Sequence, residues 1–113
     1  MQIISRFQSL THLYLEGQQQ GIEVLSELKN LEDLTLRSIT TEGLDYISML
    51  PQLWSLDIKL GGIKDLSAIA NKGSIKYLEL WQIRGLSDIG VVSSLGGLQS
   101  LFLQSLRKRE SNS

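Results

Sequence analysis

Five six-residue blocks in this chain share one template, with leucine or isoleucine at the first, fourth and sixth places. They are Leu10-Thr11-His12-Leu13-Tyr14-Leu15, Leu31-Glu32-Asp33-Leu34-Thr35-Leu36, Leu53-Trp54-Ser55-Leu56-Asp57-Ile58, Ile75-Lys76-Tyr77-Leu78-Glu79-Leu80 and Leu98-Gln99-Ser100-Leu101-Phe102-Leu103. The starts at 10, 31, 53, 75 and 98 recur every 21 to 23 residues, and all fifteen template places hold Leu or Ile. One such block cannot bury its own apolar face. It must stack on the next, so the pattern predicts a solenoid of about five units with one short strand in each.

The connectors repeat as well. Ile22, Leu25 and Leu28 lead into Leu31, and Leu44, Ile47 and Leu50 lead into Leu53. Leu86, Ile89, Val92 and Leu95 lead into Leu98, and Ile4 and Phe7 lead into Leu10. A step of three is the period of a 3₁₀ turn or of one face of a short helix, which predicts compact return segments with one inward stripe. The third connector keeps Ile63, Leu66 and Ile69, then loses step through Asn71-Lys72-Gly73-Ser74, and is expected to be the least regular. Gly21, Gly43, Gly62 and Gly85 each precede the first apolar residue of a connector, where a bend at positive φ is expected.

The blocks, the repeat length and return sequences such as Asp65-Leu66-Ser67-Ala68-Ile69 resemble the leucine-rich repeat family, in the short-repeat class of bacterial internalins. The resemblance covers about residues 4 to 106. It implies an α/β solenoid: a right-handed arc with a parallel sheet on its concave side and 3₁₀ or short helical returns on its convex side. It also implies a non-enzymatic role in protein contacts. One departure from the family stands out. The place three residues after the block, commonly Asn in that family, holds Gln18, Ile39, Gly61, Ile83 and Leu106, so loop backbone groups must find water or neighbouring carbonyls instead.

Residues 1–106 are read as the repeat domain and 107–113 as a charged polar tail. Neither end carries a strong cap sequence, so the chain is expected to be part of a longer array or to self-associate through its solenoid ends. No signal-peptide pattern opens it and no apolar run approaches a membrane span, from which a cytoplasmic setting is expected.

Composition narrows the partners. With 11 Lys and Arg against 12 Asp and Glu in 113 residues, the net charge of −1 provides no broad basic field for nucleic acid or an anionic membrane. The absence of Cys removes thiolate nucleophiles and zinc-thiolate sites, and a single His leaves little for a metal centre. No cofactor is expected.

Strand alternation turns the template leucines inward and the third, fifth and seventh places outward, with the eighth joining them at the strand end. Read across the repeats, the third row is His12, Asp33, Ser55, Tyr77 and Ser100. The fifth is Tyr14, Thr35, Asp57, Glu79 and Phe102, and the seventh is Glu16, Arg37, Lys59, Trp81 and Gln104. Four of the seven aromatic residues fall on this face beside mixed charge, a composition typical of protein-binding surfaces. Tyr14, Arg37, Asp57, Lys59, Tyr77, Glu79, Trp81 and Phe102 are therefore the candidate contacts for a protein or peptide partner. The plainer alternative is that the aromatics pack on one another to stabilise the sheet. Four strand gaps give a face of roughly 19 by 15 Å, smaller than a standard interface, so a peptide or a share of a larger surface suits it best.

Other constellations are weaker. Asp57 and Glu79 share a row and resemble a carboxylate pair, but Arg37 and Lys59 nearby make a surface charge network the simpler reading. His12 beside Asp33 is read as an exposed polar contact, since no placed nucleophile accompanies it. Trp54 is expected either to cover the core near Pro51 or to rim the face. Arg107-Lys108-Arg109 is read as a solvated tail, Gln18-Gln19-Gln20 as loop, and Gly96-Gly97 as a turn without phosphate-loop spacing.

Overall fold

A computed structural model describes residues 9–17, 20–41, 43–83 and 90–104. Alternation of leucine with polar and aromatic residues yields five strands of five residues: β1 (His12–Glu16), β2 (Asp33–Arg37), β3 (Ser55–Lys59), β4 (Tyr77–Trp81) and β5 (Ser100–Gln104). They form one parallel sheet in chain order. The register never slips: His12 faces Asp33, Asp33 faces Ser55, Ser55 faces Tyr77 and Tyr77 faces Ser100, so every template place stacks on its counterpart. The architecture is an α/β solenoid arc of five repeats with the parallel sheet on one side and 3₁₀ returns on the other.

The returns are 3₁₀ turns at Ile22–Glu27, Asp45–Ile47, Ser67–Ile69 and Gly90–Ser94. Ile22, Leu25, Leu28, Leu44, Ile47, Leu50, Ile63, Leu66 and Ile69 are all buried beneath the strand leucines, as a step of three requires. Leu34, Leu36, Leu56, Ile58, Leu78 and Leu80 form the ladder on which these stripes pack. After Ile69 the third connector turns out through Asn71 at φ 61, whose N–H is held by Ser94 Oγ at 2.8 Å. Ile4, Phe7, Gln18, Gly85, Leu86, Ile89, Leu106 and the charged tail lie outside the described residues.

Tyr46 also joins the core, which its place off the three-residue step concealed. Its hydroxyl is 2.8 Å from Thr41 Oγ1, and Thr41 in turn donates to the Gly43 carbonyl at 2.9 Å. The buried phenol thus keeps a polar partner.

The strand exit departs from the expected glycine bends. Gly21 is left-handed at φ 77, but Gly43 and Gly62 are not. The bend falls instead at the eighth place of the first four repeats, on Gly17, Ser38, Leu60 and Gln82, at φ 73, 59, 55 and 53. The reason is that this residue still belongs to the ladder. The N–H groups of Gly17, Ser38, Leu60 and Gln82 donate to the carbonyls of Arg37, Lys59, Trp81 and Gln104 at 2.8–2.9 Å. Only a left-handed backbone keeps that bond while swinging the next residue inward. Ile39 and Ile83 then bury their side chains where the family commonly places Asn.

At one of these turns a loop amide finds a neighbouring carbonyl. Gly62 N–H donates to the Ile39 carbonyl at 3.2 Å. Gly61 permits the approach, because a Cβ there would lie 2.3 Å from the same carbonyl oxygen.

Burial is not symmetric along the arc. Leu78 and Leu80 of β4 are fully buried, whereas Leu101 and Leu103 at the same places in β5 are 45% and 37% exposed. The last strand has a sheet neighbour on one side only.

Candidate functional site

All eight candidate residues lie on the sheet face opposite the leucine ladder, held in three rows by the strand register. Their exposure is uneven. Tyr14 and Phe102, at opposite ends, are 56% and 44% exposed, while Tyr77 and Trp81 between them are partly buried. Ser55, expected on the surface, is buried, because the larger Asp33 and Tyr77 flank it in its row.

The charges fall into two arrangements. On the β1–β2 side, Arg37 Nε approaches Glu16 Oε2 at 3.6 Å, with both groups open to solvent. Tyr14 OH stands 3.5 Å from the other oxygen of Glu16, a long contact. In the middle, Lys59 Nζ lies 3.3 Å from Asp57 Oδ2 and 6.0 Å from the centroid of the Trp81 ring. Lys59 is therefore gripped between a carboxylate two residues back on its own strand and an aromatic ring on the next.

Asp57 and Glu79 are register partners across β3 and β4. Burial pushes the Asp57 carboxyl above its ordinary value and the charge of Glu79 adds to the effect, against the opposing pull of Lys59. Its Oδ1 is shielded from solvent and accepts no hydrogen bond, and Trp81 Nε1 is likewise shielded and donates none. Glu79 Oε1 accepts from Tyr77 OH, a bond that is the main cause of the Tyr77 phenol being pushed up to about 12.

His12 and Asp33 do not form the expected contact. They are register partners, but the imidazole Nδ1 bonds Thr11 Oγ1 at 2.9 Å. Trp54 is 41% exposed and Pro51 is exposed too, so the indole does not close the core; its backbone carbonyl accepts from both Lys76 and Tyr77 at the strand entry. Among the described residues no group of three His, Cys, Asp or Glu could hold a metal ion, and no helix is long and apolar enough to cross a membrane. The Lys59–Trp81 contact escaped the sequence reading, although the two places are adjacent in the seventh row.

A parallel sheet built from LxxLxL strands and closed by 3₁₀ returns defines a leucine-rich repeat solenoid. Its short repeats are similar to those of internalins. The fold is similar to that of internalin C2 from Listeria monocytogenes, with a TM-score of 0.69 and 21% identity over 88% of this chain and 45% of that one. It is also similar to internalin F from the same organism, with a TM-score of 0.66 and 29% identity over 92% of this chain and 37% of that one. The chain thus spans less than half the length of either structure. No protein-family model matches the sequence, and no curated protein matches it.

Proposed function

We propose that this chain is a non-enzymatic protein-interaction module that receives a polypeptide on its concave sheet face. The observation that carries this reading is the arrangement of the face itself. Solvent-exposed rings, Tyr14 and Phe102, stand at its two ends, and between them Arg37, Asp57, Lys59, Tyr77, Glu79 and Trp81 are held in place by pairing and partial burial. Side chains already ordered in this way lose little rotamer freedom on binding, which favours recognition by a small surface.

The test is a pull-down from lysate of the source cells with the partner identified by mass, comparing wild type with a folded Tyr14→Ser/Phe102→Ser variant. A defined polypeptide retained by wild type and lost by the variant is the expected result. Equal retention by both proteins overturns the concave face as the site.

A second reading is favoured by the exposure of Leu101 and Leu103, which occupy core places in β5. On it, the chain is a structural solenoid segment whose main contact is with further repeats or with its own copy. Light scattering that reports a concentration-dependent oligomer, abolished by Leu101→Ser/Leu103→Ser and untouched by Tyr14→Ser, would favour it over the first.

A further inference from the structure

This inference rests on the proposed reading of the face and names the chemistry of the partner. In the third, fifth and seventh rows the acids are Glu16, Asp33, Asp57 and Glu79, and the fixed cations are Arg37 and Lys59. Both cations are already engaged, Arg37 with Glu16 and Lys59 with Asp57. Asp33 and Glu79 have no cation within ion-pair distance among the described residues. The face therefore carries two uncompensated negative charges on either side of β3, and its charge complement is cationic.

The strand pattern shows what kind of cation fits. In β3 an acid at the fifth place, Asp57, is followed two residues later by Lys59, whose ammonium rests between that carboxylate and the Trp81 ring. In β4 the acid recurs as Glu79, but the place of the lysine is taken by Trp81. Glu79 thus has the carboxylate half of the same clasp without an internal cation. Aromatic residues take the neighbouring places: Tyr77 two residues back donates to it, Phe102 is its register partner on β5 and is 44% exposed, and Trp81 lies two residues on. The raised Asp57 and Tyr77 values both carry contributions from neighbouring acids, consistent with a negative field over this part of the sheet.

We propose that the concave face seats a cationic side chain of its polypeptide partner, an arginine, over Glu79 beside the rings of Tyr77 and Phe102, with Asp33 and Asp57 extending the attraction. Arginine suits the place better than lysine, since a planar guanidinium both stacks on aromatic rings and donates twice to one carboxylate.

Random peptides displayed on phage, selected on the immobilised chain, supply the probe. The expected outcome is enrichment of arginine in the selected sequences. A synthetic peptide from that set weakens roughly tenfold or more with Glu79→Gln, and similarly when its arginine is replaced by the neutral isostere citrulline. Glu27→Gln, which removes an equal charge from the exposed side of the first return, leaves its affinity unchanged. Thermal unfolding confirms that each variant is folded. Selected peptides that are apolar or acidic overturn the proposal, as does equal binding of the arginine and citrulline forms. Peptides lost with Tyr14→Ser/Phe102→Ser yet indifferent to Glu79→Gln overturn the cation and leave the face as the binding site. Peptides indifferent to both variants overturn the face as well, and so does the absence of any selected sequence.

Discussion

Asp57 and Glu79 stand opposite each other on β3 and β4, and the structure answers their charges differently. Asp57 is paired with Lys59 at 3.3 Å and its side chain is only 15% exposed, whereas Glu79 is met by a neutral phenol and, among the described residues, by no cation. Two half-buried acids, one paired with a cation and one with a phenol, therefore sit side by side. Each has its own signature in solution.

For Asp57 the signature is in stability against pH. Its folded-state value is raised above the ordinary 3.8, so the folded protein holds that proton more tightly than the unfolded chain does. The contribution is favourable at low pH and is lost as pH rises from the ordinary value through the raised one. Asp57→Asn removes this slope. Urea unfolding of both proteins from about pH 3.5 to about pH 7 should show wild type losing stability relative to the variant as pH rises. A gap that moves in wild type's favour would mean that the Lys59 attraction outweighs burial.

The phenol provides a second readout. Tyr77 is pushed up to about 12, with its bond to Glu79 as the largest cause. Stability contributed by that bond is complete below the ordinary value of 10.0 and is lost as pH rises toward the folded one. Carbon NMR of the ring should follow an ionisation that moves back toward 10.0 in Glu79→Gln. An unmoved titration would assign the shift to burial and the charges of Asp57 and Asp33.

Leucines at equivalent template places should not be equally costly to lose. Leu56 is fully buried between two repeats, and Leu56→Ala should cost about 3 kcal/mol, with Leu56→Asp abolishing the fold. Leu101 occupies the same place in β5 at 45% exposure, and Leu101→Ala should cost about 1 kcal/mol or less. Denaturant titration of the alanine variants checks the ratio.

The strand exits predict opposite effects for two ordinary-looking changes. Gln82 is exposed and held at φ 53, so Gln82→Gly should stabilise by about 0.5 kcal/mol, the relief of left-handed strain exceeding the flexibility added to the unfolded chain. Gly61→Ala should destabilise by about 2 kcal/mol or more, because its methyl would meet the Ile39 carbonyl at 2.3 Å. Thermal melts of the two variants should move in opposite directions.

Much of the architecture was legible because it is local and periodic. Leucine places repeated at constant spacing settle strand, register and inward stripe together, and the rows they imply, such as Thr35 beside Asp57 beside Glu79, are the rows the sheet forms. What escaped depends on neighbours in space. The left-handed turns at Ser38, Leu60 and Gln82 carry no glycine to announce them, since the ladder bond and not residue type enforces them. Ser55 is buried by the size of its row neighbours, and His12 prefers its own adjacent Thr11 to Asp33 across the strand. Along the candidate face, identities and rows were readable. The split between engaged and unengaged charge was not, because rotamers decide it.

The alternation of inward leucines and outward side chains along β2 and β4, and with Ser55 as the exception along β3, divides the molecule's labour between two sets of residues. The residues that make the shape, Leu34, Leu36, Leu56, Ile58, Leu78 and Leu80, are invisible from the face. Those that make the surface, from Tyr14 to Phe102, meet one another in pairs above the sheet, outside the leucine core. Such a scaffold can exchange its vocabulary while keeping its grammar. Whole rows of outward residues can be rewritten, by selection in nature or in a library, to greet a different visitor, and the coil beneath them will still wind.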